Sequence, residues 1–389
     1  MLWRMTEARS GGVPLSLSLV DKLGRVSWGL IALTTVIASI GLGMLYSAAD
    51  GNMAPWASQQ LIRFAIGLAM LLGIGFINIR IWMRWAYVIY AVTLVALVSV
   101  EVFGFIGMGA QRWISFGWFQ IQPSELMKIA LILALARYFH RTILEDARRP
   151  LLLIAPILMV MAPTILVLRQ PDLGTAAMLV LAAGAVFFVS GVAVRYFLVG
   201  GMLAASAVPI AWHFLREYQK ERILMFLNPE ADPLGAGYHI LQSKIALGSG
   251  GLFGRGFMHG TQSHLNFLPE HQTDFIFTML AEELGLVGAL GLITLYLLLF
   301  AYGFAISLRS RNHFGRLLGI GLTTTLFLYV FINIAMVIGL VPVVGVPLPL
   351  VSYGGTAMMT VLGSLGLLTS IFVHRDEQIG RLRSEDLNR

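Results

Sequence analysis

The sequence contains no cysteine, which excludes disulfides, thiolate catalysis and cysteine-based metal sites in any compartment. Charge is scarce too: 12% of the 389 residues are Asp, Glu, Lys or Arg, against 57% hydrophobic. A mean hydropathy of +0.80 lies far outside the range of a soluble domain and reads as a polytopic membrane protein. The period-2 alternation of barrel strands is missing, so the long apolar runs are expected to be helices, the remaining way to satisfy a backbone in lipid. Nucleotide signatures are missing as well. There is no Gly-Lys-Ser or Gly-Lys-Thr, and the spacing of Gly254, Gly256 and Gly260 misses the dinucleotide fingerprint by one residue. No cluster of metal-ligating residues stands out. The formal net charge of +7 is read as an excess on one side of a bilayer rather than as a nucleic-acid surface.

What is present is a series of apolar runs near 26–46, 61–77, 85–107, 123–139, 151–168, 174–194, 197–214, 275–300, 315–341 and 355–373. Each can cross about 30 Å of hydrocarbon as a helix of roughly 20 residues. The first run is too long for a signal-peptide core and is expected to remain as a transmembrane helix. The expected fold class is therefore an all-α polytopic membrane protein of ten transmembrane helices, with both termini on one side. The side is set by arginine: Arg80, Arg84, Arg137, Arg141, Arg309, Arg311, Arg316 and Arg375 fall on the terminal side, against Arg63, Arg112 and Arg169 on the other. The positive-inside rule makes the terminal side cytoplasmic. The whole chain, 1–389, reads as one integral-membrane domain. It has a cytoplasmic N-terminal segment 1–25, a large external loop 215–273 between helices 7 and 8, and a cytoplasmic tail 374–389. A loop of that length in a chain of short connections is where function is expected.

Four polar features interrupt the apolar sequence. The large loop carries eight glycines between Gly235 and Gly260, and Ile240, Leu241, Ile245, Ala246 and Leu247 suggest a short amphipathic helix on the membrane surface beside Lys244. It reads either as a packing loop or as a lid over a lipid headgroup. The stretch GAQRWISFGWFQIQPSELMK has the look of an interfacial aromatic belt in Trp113, Phe116, Trp118 and Phe119, followed by a helix start at Pro123. Glu125 and Lys128 then share a helix face about 4.5 Å apart along the axis, inside the bilayer. They read as a structural ion pair or as the polar wall of a cavity. In RQPDLGT, Asp172 is expected to cap the next helix. The proline-rich VPVVGVPLPLVSYGGT, 341–356, is too apolar for a solvated loop. It is expected to dip back into the external face of the bundle.

Asp274, at the end of the large loop in PEHQTDFIFTMLAEELG, has two readings. It can cap the following helix, worth about 0.3–1 kcal/mol near a helix N-terminus, or it can do acid–base chemistry. Glu282 and Glu283 lie roughly 12–13 Å further along the axis and about 80° and 180° around it. They are expected to be buried packing groups rather than partners of Asp274.

These segments together resemble the SEDS family of bacterial cell-wall proteins, and within it the RodA elongation branch rather than the FtsW division branch. The resemblance is carried by AQRWISFG with QPSELMKIA, by QPDLGT, by DPLGAGYHILQSKIALGSGG with HGTQSHLNFLPE, by TDFIF with AEELGLVG, and by NIAMVIGLVPVVGVPLPLVSYGGTA. It implies a peptidoglycan glycosyltransferase that polymerises lipid II for lateral wall elongation and cell shape. It places the enzyme in the bacterial cytoplasmic membrane with its active face outside, partnered by a class B penicillin-binding protein. It puts the family's essential external aspartate on Asp274 and its intramembrane Glu and Lys on Glu125 and Lys128. One departure stands out: many relatives have His-Thr-Asp, whereas here Gln272 precedes Thr273 and the histidine is displaced to His271.

The implied reaction joins a sugar hydroxyl to the anomeric carbon of a lipid diphosphate with inversion, so one carboxylate suffices as base, and Asp274 is the expected catalytic residue. The leaving diphosphate needs positive charge from arginine, lysine or a divalent cation such as Mg or Mn. Lys244 and Arg112 are favoured for that role over Arg216, Lys220, Arg222 and Arg255, because their segments border the membrane. Lys244, Arg112, Glu125 and Lys128 are thus the expected substrate-binding residues. A lipid II flippase or transporter and a non-catalytic membrane scaffold of the elongation machinery are the alternatives.

Overall fold

The computed structural model describes residues 19–107, 110–115, 120–142, 150–215, 217–227, 238–261, 272–377 and 379–380. Arg216, His271, Phe116, Trp118, Phe119 and the side chain of Arg222 lie outside the described residues, as do most of the segment 1–25 and of the tail. The helices, in chain order, are α1 Leu19–Gly24, α2 Trp28–Ala48, α3 Trp56–Phe76, α4 Ile79–Phe103, α5 Pro123–Arg141, α6 Pro150–Arg169, α7 Leu173–Val189 and α8 Val194–Phe214. They continue with α9 Glu217–Leu227, α10 Tyr238–Ser249, α11 Ile276–Arg309, α12 His313–Val337 and α13 Gly355–Val373. Each expected apolar run falls on one of them. Among the described residues seven helices are long and apolar enough to cross a membrane, and two further apolar helices are shorter.

Local chemistry sets the helix ends. Asn78 caps α4 by accepting from the Arg80 amide, and Asn312 caps α12 by accepting from that of Gly315. Asp172 caps α7, as expected, accepting from both the amide and the hydroxyl of Thr175. Pro123 opens α5, where its missing N–H costs nothing.

The interior is built from α5, α12 and α13, with most of the residues of α12 and α13 buried. Helix α13 lies closely along α3 through small residues. A methyl group added at Gly67 would meet Leu362, one at Gly75 would meet Thr369, and one at Gly366 would meet Ile74. By contrast, α8 presents Leu198, Met202, Leu203 and Ile210 outward, each more than half exposed, as a lipid-facing helix does.

Three features depart from the sequence reading. The aromatic stretch before α5 is not only an interfacial belt: Phe105–Gly107 (β1), Ala110–Ser115 (β2) and Gln120–Ile121 (β3) form a small antiparallel sheet, with Phe105 opposite Trp113 and Ile114 opposite Ile121. The glycine-rich loop helix exists as α10, but it packs on α11 instead of only lying on a surface. Ser243 is fully buried, with its hydroxyl against Thr278 and the Val337 carbonyl. Finally, α11 is much longer than the run 275–300 and is broken at Gly285, whose φ of 67° and ψ of −166° suit glycine alone.

That break is filled by the segment 250–261. The amides of Arg255 and Gly256 donate to the carbonyls of Glu282 and Glu283, and those of Leu286 and Val287 donate to Gly251 and Leu252. The carboxylates join in. Glu282 accepts from the amide of Thr261 at 2.8 Å, and Glu283 from the Ser47 hydroxyl at 2.6 Å and the Met258 amide at 3.1 Å. Both glutamates are fully buried, which agrees with the expectation that they pack the bundle. A methyl group at residue 285 would lie 2.3 Å from the Gly254 nitrogen. Gly285→Ala is expected to destabilise the protein by about 2 kcal/mol or more, from forced positive φ and from this clash. Thermal unfolding in detergent checks it; an unchanged midpoint contradicts the account of the break.

Candidate functional site

The end of the bundle opposite the termini is organised by a run of irregular backbone, residues 338–354, between α12 and α13. The prolines at 342, 347 and 349 prevent helix, so its amides and carbonyls need partners from elsewhere. The side chains of the bundle supply them. Asn333, on the last turns of α12, donates from Nδ2 to the carbonyl of Val346 at 2.7 Å. Tyr296 of α11 donates to the Pro349 carbonyl, Gln60 of α3 to the Ser352 carbonyl at 2.8 Å, and the Leu348 amide donates to the Ser352 hydroxyl oxygen. Val346, Leu348, Leu350 and Val351 are buried, so the segment dips into protein as expected.

The same loop holds the start of α11. Gln272, Thr273 and Asp274 each offer a backbone carbonyl, and all three are taken. The amide of Tyr353 donates to Gln272 at 2.9 Å, the hydroxyl of Ser352 to Thr273 at 2.6 Å, and Asn333 Nδ2 to Asp274 at 3.0 Å. Asn333 therefore bridges the two strands of backbone with one amide group. This clamp fixes the main chain that carries Asp274. Its side chain is half-buried, with Oδ2 pointing toward Gly345; a methyl group there would come within 3.4 Å of that oxygen. Gly345 has φ of 68°. The helix itself is capped at Phe275 with no side-chain hydrogen bond, so Asp274 stands one residue outside the cap position. The backbone of residues 272–274 thus reaches the helix as a clamped approach.

One turn deeper on α12, four residues before Asn333, lies Tyr329. Its hydroxyl donates to Glu125 Oε2, while Lys128 Nζ bonds Glu125 Oε1 at 2.7 Å and sits 4.1 Å from the Tyr329 ring centre. Glu125, Lys128 and Tyr329 are all buried. The expected i, i+3 ion pair is formed, and the tyrosine makes it a three-membered cluster joining α5 to α12. An ion pair removed from water in this way is held by its extra hydrogen bond as much as by its charge.

The other expected residues are placed as follows. Arg112, on β2, directs its guanidinium at the turn before α7, donating to the carbonyls of Gln170 at 3.1 Å and Pro171 at 2.6 Å and lying 3.8 Å from Asp172. Gly174, in the first turn of α7, abuts Val344 and Val346, so the turn that Arg112 holds backs onto the 338–354 loop. Lys244 is exposed on the outer side of α10. Arg255 is exposed and bonds Thr261, and Lys220 is half-buried on α9. A cation that the sequence reading used only for orientation, Arg63 of α3, stacks over Tyr353 at 4.7 Å and has a buried Nη1 with no hydrogen-bond partner. Tyr353 is the residue whose amide holds Gln272. Among the described residues no three His, Asp or Glu side chains are grouped to hold a metal ion.

Tyr329, Asn333, Ser352, Gln60 and Arg63 were not expected at the site from the sequence. The signal available was polarity in the wrong place: an Asn and a Tyr in an apolar span, and a Gln-Gln and an Arg in the first turns of another.

Comparison with known proteins follows the geometry. Residues 22–377 match the family model FtsW/RodA/SpoVE, described as cell cycle protein. The chain is 45% identical over 355 residues to the peptidoglycan glycosyltransferase MrdB of Escherichia coli (strain K12), covering 90% of this chain and 95% of that one. It is 31% identical over 419 residues to the peptidoglycan glycosyltransferase RodA of Treponema pallidum (strain Nichols), covering 88% and 96%. Among solved structures it is similar, with a TM-score of 0.79 and 34% identity, to a chain of a peptidoglycan synthase complex in which polymerization and crosslinking are coordinated, covering 90% of this chain and 99% of that one. It is also similar to the rod shape determining protein RodA of Thermus thermophilus, with a TM-score of 0.68 and 31% identity, covering 90% and 98%.

The buried cluster gives a stability prediction. Lys128→Met leaves Glu125 uncompensated and is expected to cost about 3–5 kcal/mol, whereas Glu125→Gln combined with Lys128→Met costs less than the sum of the two single changes. Additive losses in thermal unfolding of the four proteins would contradict the pairing.

Proposed function

This chain belongs to the FtsW/RodA/SpoVE family of cell cycle proteins, and we infer from that membership that it is a peptidoglycan glycosyltransferase, a multi-pass membrane enzyme of the cell-shape machinery. Its substrate in this reading is lipid II, a disaccharide-peptide on a polyprenyl diphosphate, polymerised on the external side of the bacterial cytoplasmic membrane. The observation that carries the assignment of roles is the clamp: three successive carbonyls around Asp274 are held by groups from two other elements, while its carboxylate is left half-buried at the loop end of the bundle. A catalytic base needs that combination of fixed backbone and reachable oxygen.

In the proposed reaction Asp274 takes the proton of the attacking sugar hydroxyl as its oxygen bonds the anomeric carbon, and the bond to the lipid diphosphate breaks. The configuration inverts, and the leaving group departs on its own acidity. Positive charge near the diphosphate lowers the barrier. Arg63 is the cation best supported for that task, with a guanidinium nitrogen unsatisfied beside the loop that clamps Asp274. Arg112 is committed to the turn at 170–172 and is assigned to support of the loop instead. Lys244, exposed on α10, is retained as a contact for the substrate's outer, solvated part. Glu125 and Lys128 act through Tyr329 and the α12 helix as positioning residues. A divalent cation such as Mg or Mn, when bound, would supply further positive charge to the diphosphate.

Likeness to a chain of a complex that coordinates polymerization with crosslinking supports a crosslinking partner, which we take to be a class B penicillin-binding transpeptidase. Reconstituted protein with labelled lipid II tests the reading, with and without the partner and with chelator. Glycan chains are the expected product; lipid II scrambled across the bilayer without chains would identify a flippase, and neither outcome would leave a scaffold. Asp274→Ala is expected to lower polymerisation by at least about 100-fold with the fold retained. Asn333→Ala, which frees the Asp274 carbonyl without touching the carboxylate, is expected to lower it by roughly 10- to 100-fold. Wild-type rates in the second variant would remove the clamp from the mechanism.

A further inference from the structure

The terminal end of the bundle carries a polar cavity of about 360 Å³, which the reaction does not use. It is lined by His140 from the last turn of α5, by Arg311, Asn312, His313 and Arg316 around the start of α12, and by residues 379–380. Among the described residues no carboxylate lines it. Two of the walls are fixed: His140 is 3% exposed and Asn312 is 2% exposed. The imidazole of His140 is stacked 6.4 Å from that of His313 and meets the Phe314 ring edge-on at 6.5 Å. Asn312 is held by the amide of Gly315 and by the carbonyl of Glu377.

The guanidiniums are at the rim. Arg311 lies 3.9 Å from Asp376, an exposed carboxylate that is also 3.6 Å from Arg25. Arg316 makes no ion pair among the described residues and reaches the Ser310 carbonyl at 3.5 Å. The start of α12, a helix of 25 residues, adds the positive end of its dipole to the same space. Arg316 and the helix start therefore make the cavity positive, with Arg311 shared between it and Asp376, and its volume lies in the range of small-ligand sites. The position follows from the helices. His140 and Arg141 end α5 and His313 begins α12, which places the cavity where membrane-crossing helices leave hydrocarbon, at the depth of lipid headgroups. Along α12 it is roughly 30 Å from Asn333, at the other end of the molecule.

We propose that this cavity is a binding site for a phosphate group, supplied by the headgroup of an anionic phospholipid. A soluble phosphate compound offers the same chemistry, and the experiment separates the two. The full-length protein, purified in a zwitterionic detergent, is taken through thermal unfolding with phosphatidylglycerol, with phosphatidylcholine, or with inorganic phosphate at matched ionic strength. Lipids retained by the protein are identified in parallel by native mass spectrometry. Phosphatidylglycerol is expected to raise the midpoint by several degrees and phosphatidylcholine to leave it in place. The shift and the retained lipid should both be lost in Arg311→Gln/Arg316→Gln. The single change Arg316→Gln, at an exposed position, should lose at least half of the shift and guards against misfolding of the double variant. A shift given by inorganic phosphate and lost in the same variants assigns the site to a soluble phosphate. Equal shifts with both lipids, no shift with any addition, or a shift that survives both substitutions overturns the proposal. Polymerisation is not a readout of this test, so its result stands apart from the assignment of Asp274.

Discussion

Everything at the loop end of this molecule follows from one constraint: backbone that is neither helix nor sheet, buried where water does not reach, has to find its hydrogen bonds in side chains. Residues 338–354 are such a segment, with three prolines that bar a helix and an apolar composition that bars solution. The bundle meets the need with a small set of polar side chains projected from long helices, Gln60 from α3, Tyr296 from α11 and Asn333 from α12. Their N–H groups and hydroxyl are costly to bury alone and cost little once paired. Having been placed to hold the loop, Asn333 and Ser352 also hold residues 273–274. A solution to a folding problem thus doubles as the scaffold of the candidate catalytic carboxylate.

The charged groups follow the same logic at greater depth. Glu125 and Lys128 sit in the first turns of α5, where a lone charge would be excluded, and Tyr329 from α12 completes their hydrogen bonding. Because Tyr329 and Asn333 are successive turns of one helix face, the cluster and the clamp share a single rigid element. Arg112 works similarly on the outer side, tying the small sheet to the turn 170–172 and, through Gly174, to the loop.

Much of this was legible in the residues, and what was not has a physical explanation. The apolar runs announced the helices because about 20 such residues in a row have few other uses, and the spacing of Glu125 and Lys128 announced their pairing. The proline-rich run announced a dip into protein. The small sheet was hidden because Ala110–Ser115 mixes Arg and Trp in a way that also suits an interface, and its partner strands are only two and three residues long. The position of Asp274 relative to its helix was hidden by one residue of phase, since cap and approach have the same composition. Most opaque were the contacts between distant parts of the chain: nothing local in NIAMV says that Asn333 will meet both 274 and 346, and nothing in EELGLVG says that the helix breaks because residues 250–256 lie against Gly285. Such pairings are properties of the assembled bundle.

The break at Gly285 separates a short strut, 276–284, from the long remainder of α11. At its near end the strut is gripped through Asp274 and its neighbours, and at its far end through Glu282 and Glu283, whose carboxylates and carbonyls receive the amides of the segment 255–261. Loop segment and carboxylate are therefore mechanically in series, joined by a rod too short to bend. The glycine-rich segment and the backbone of Asp274 thus share one short helix as their common anchor.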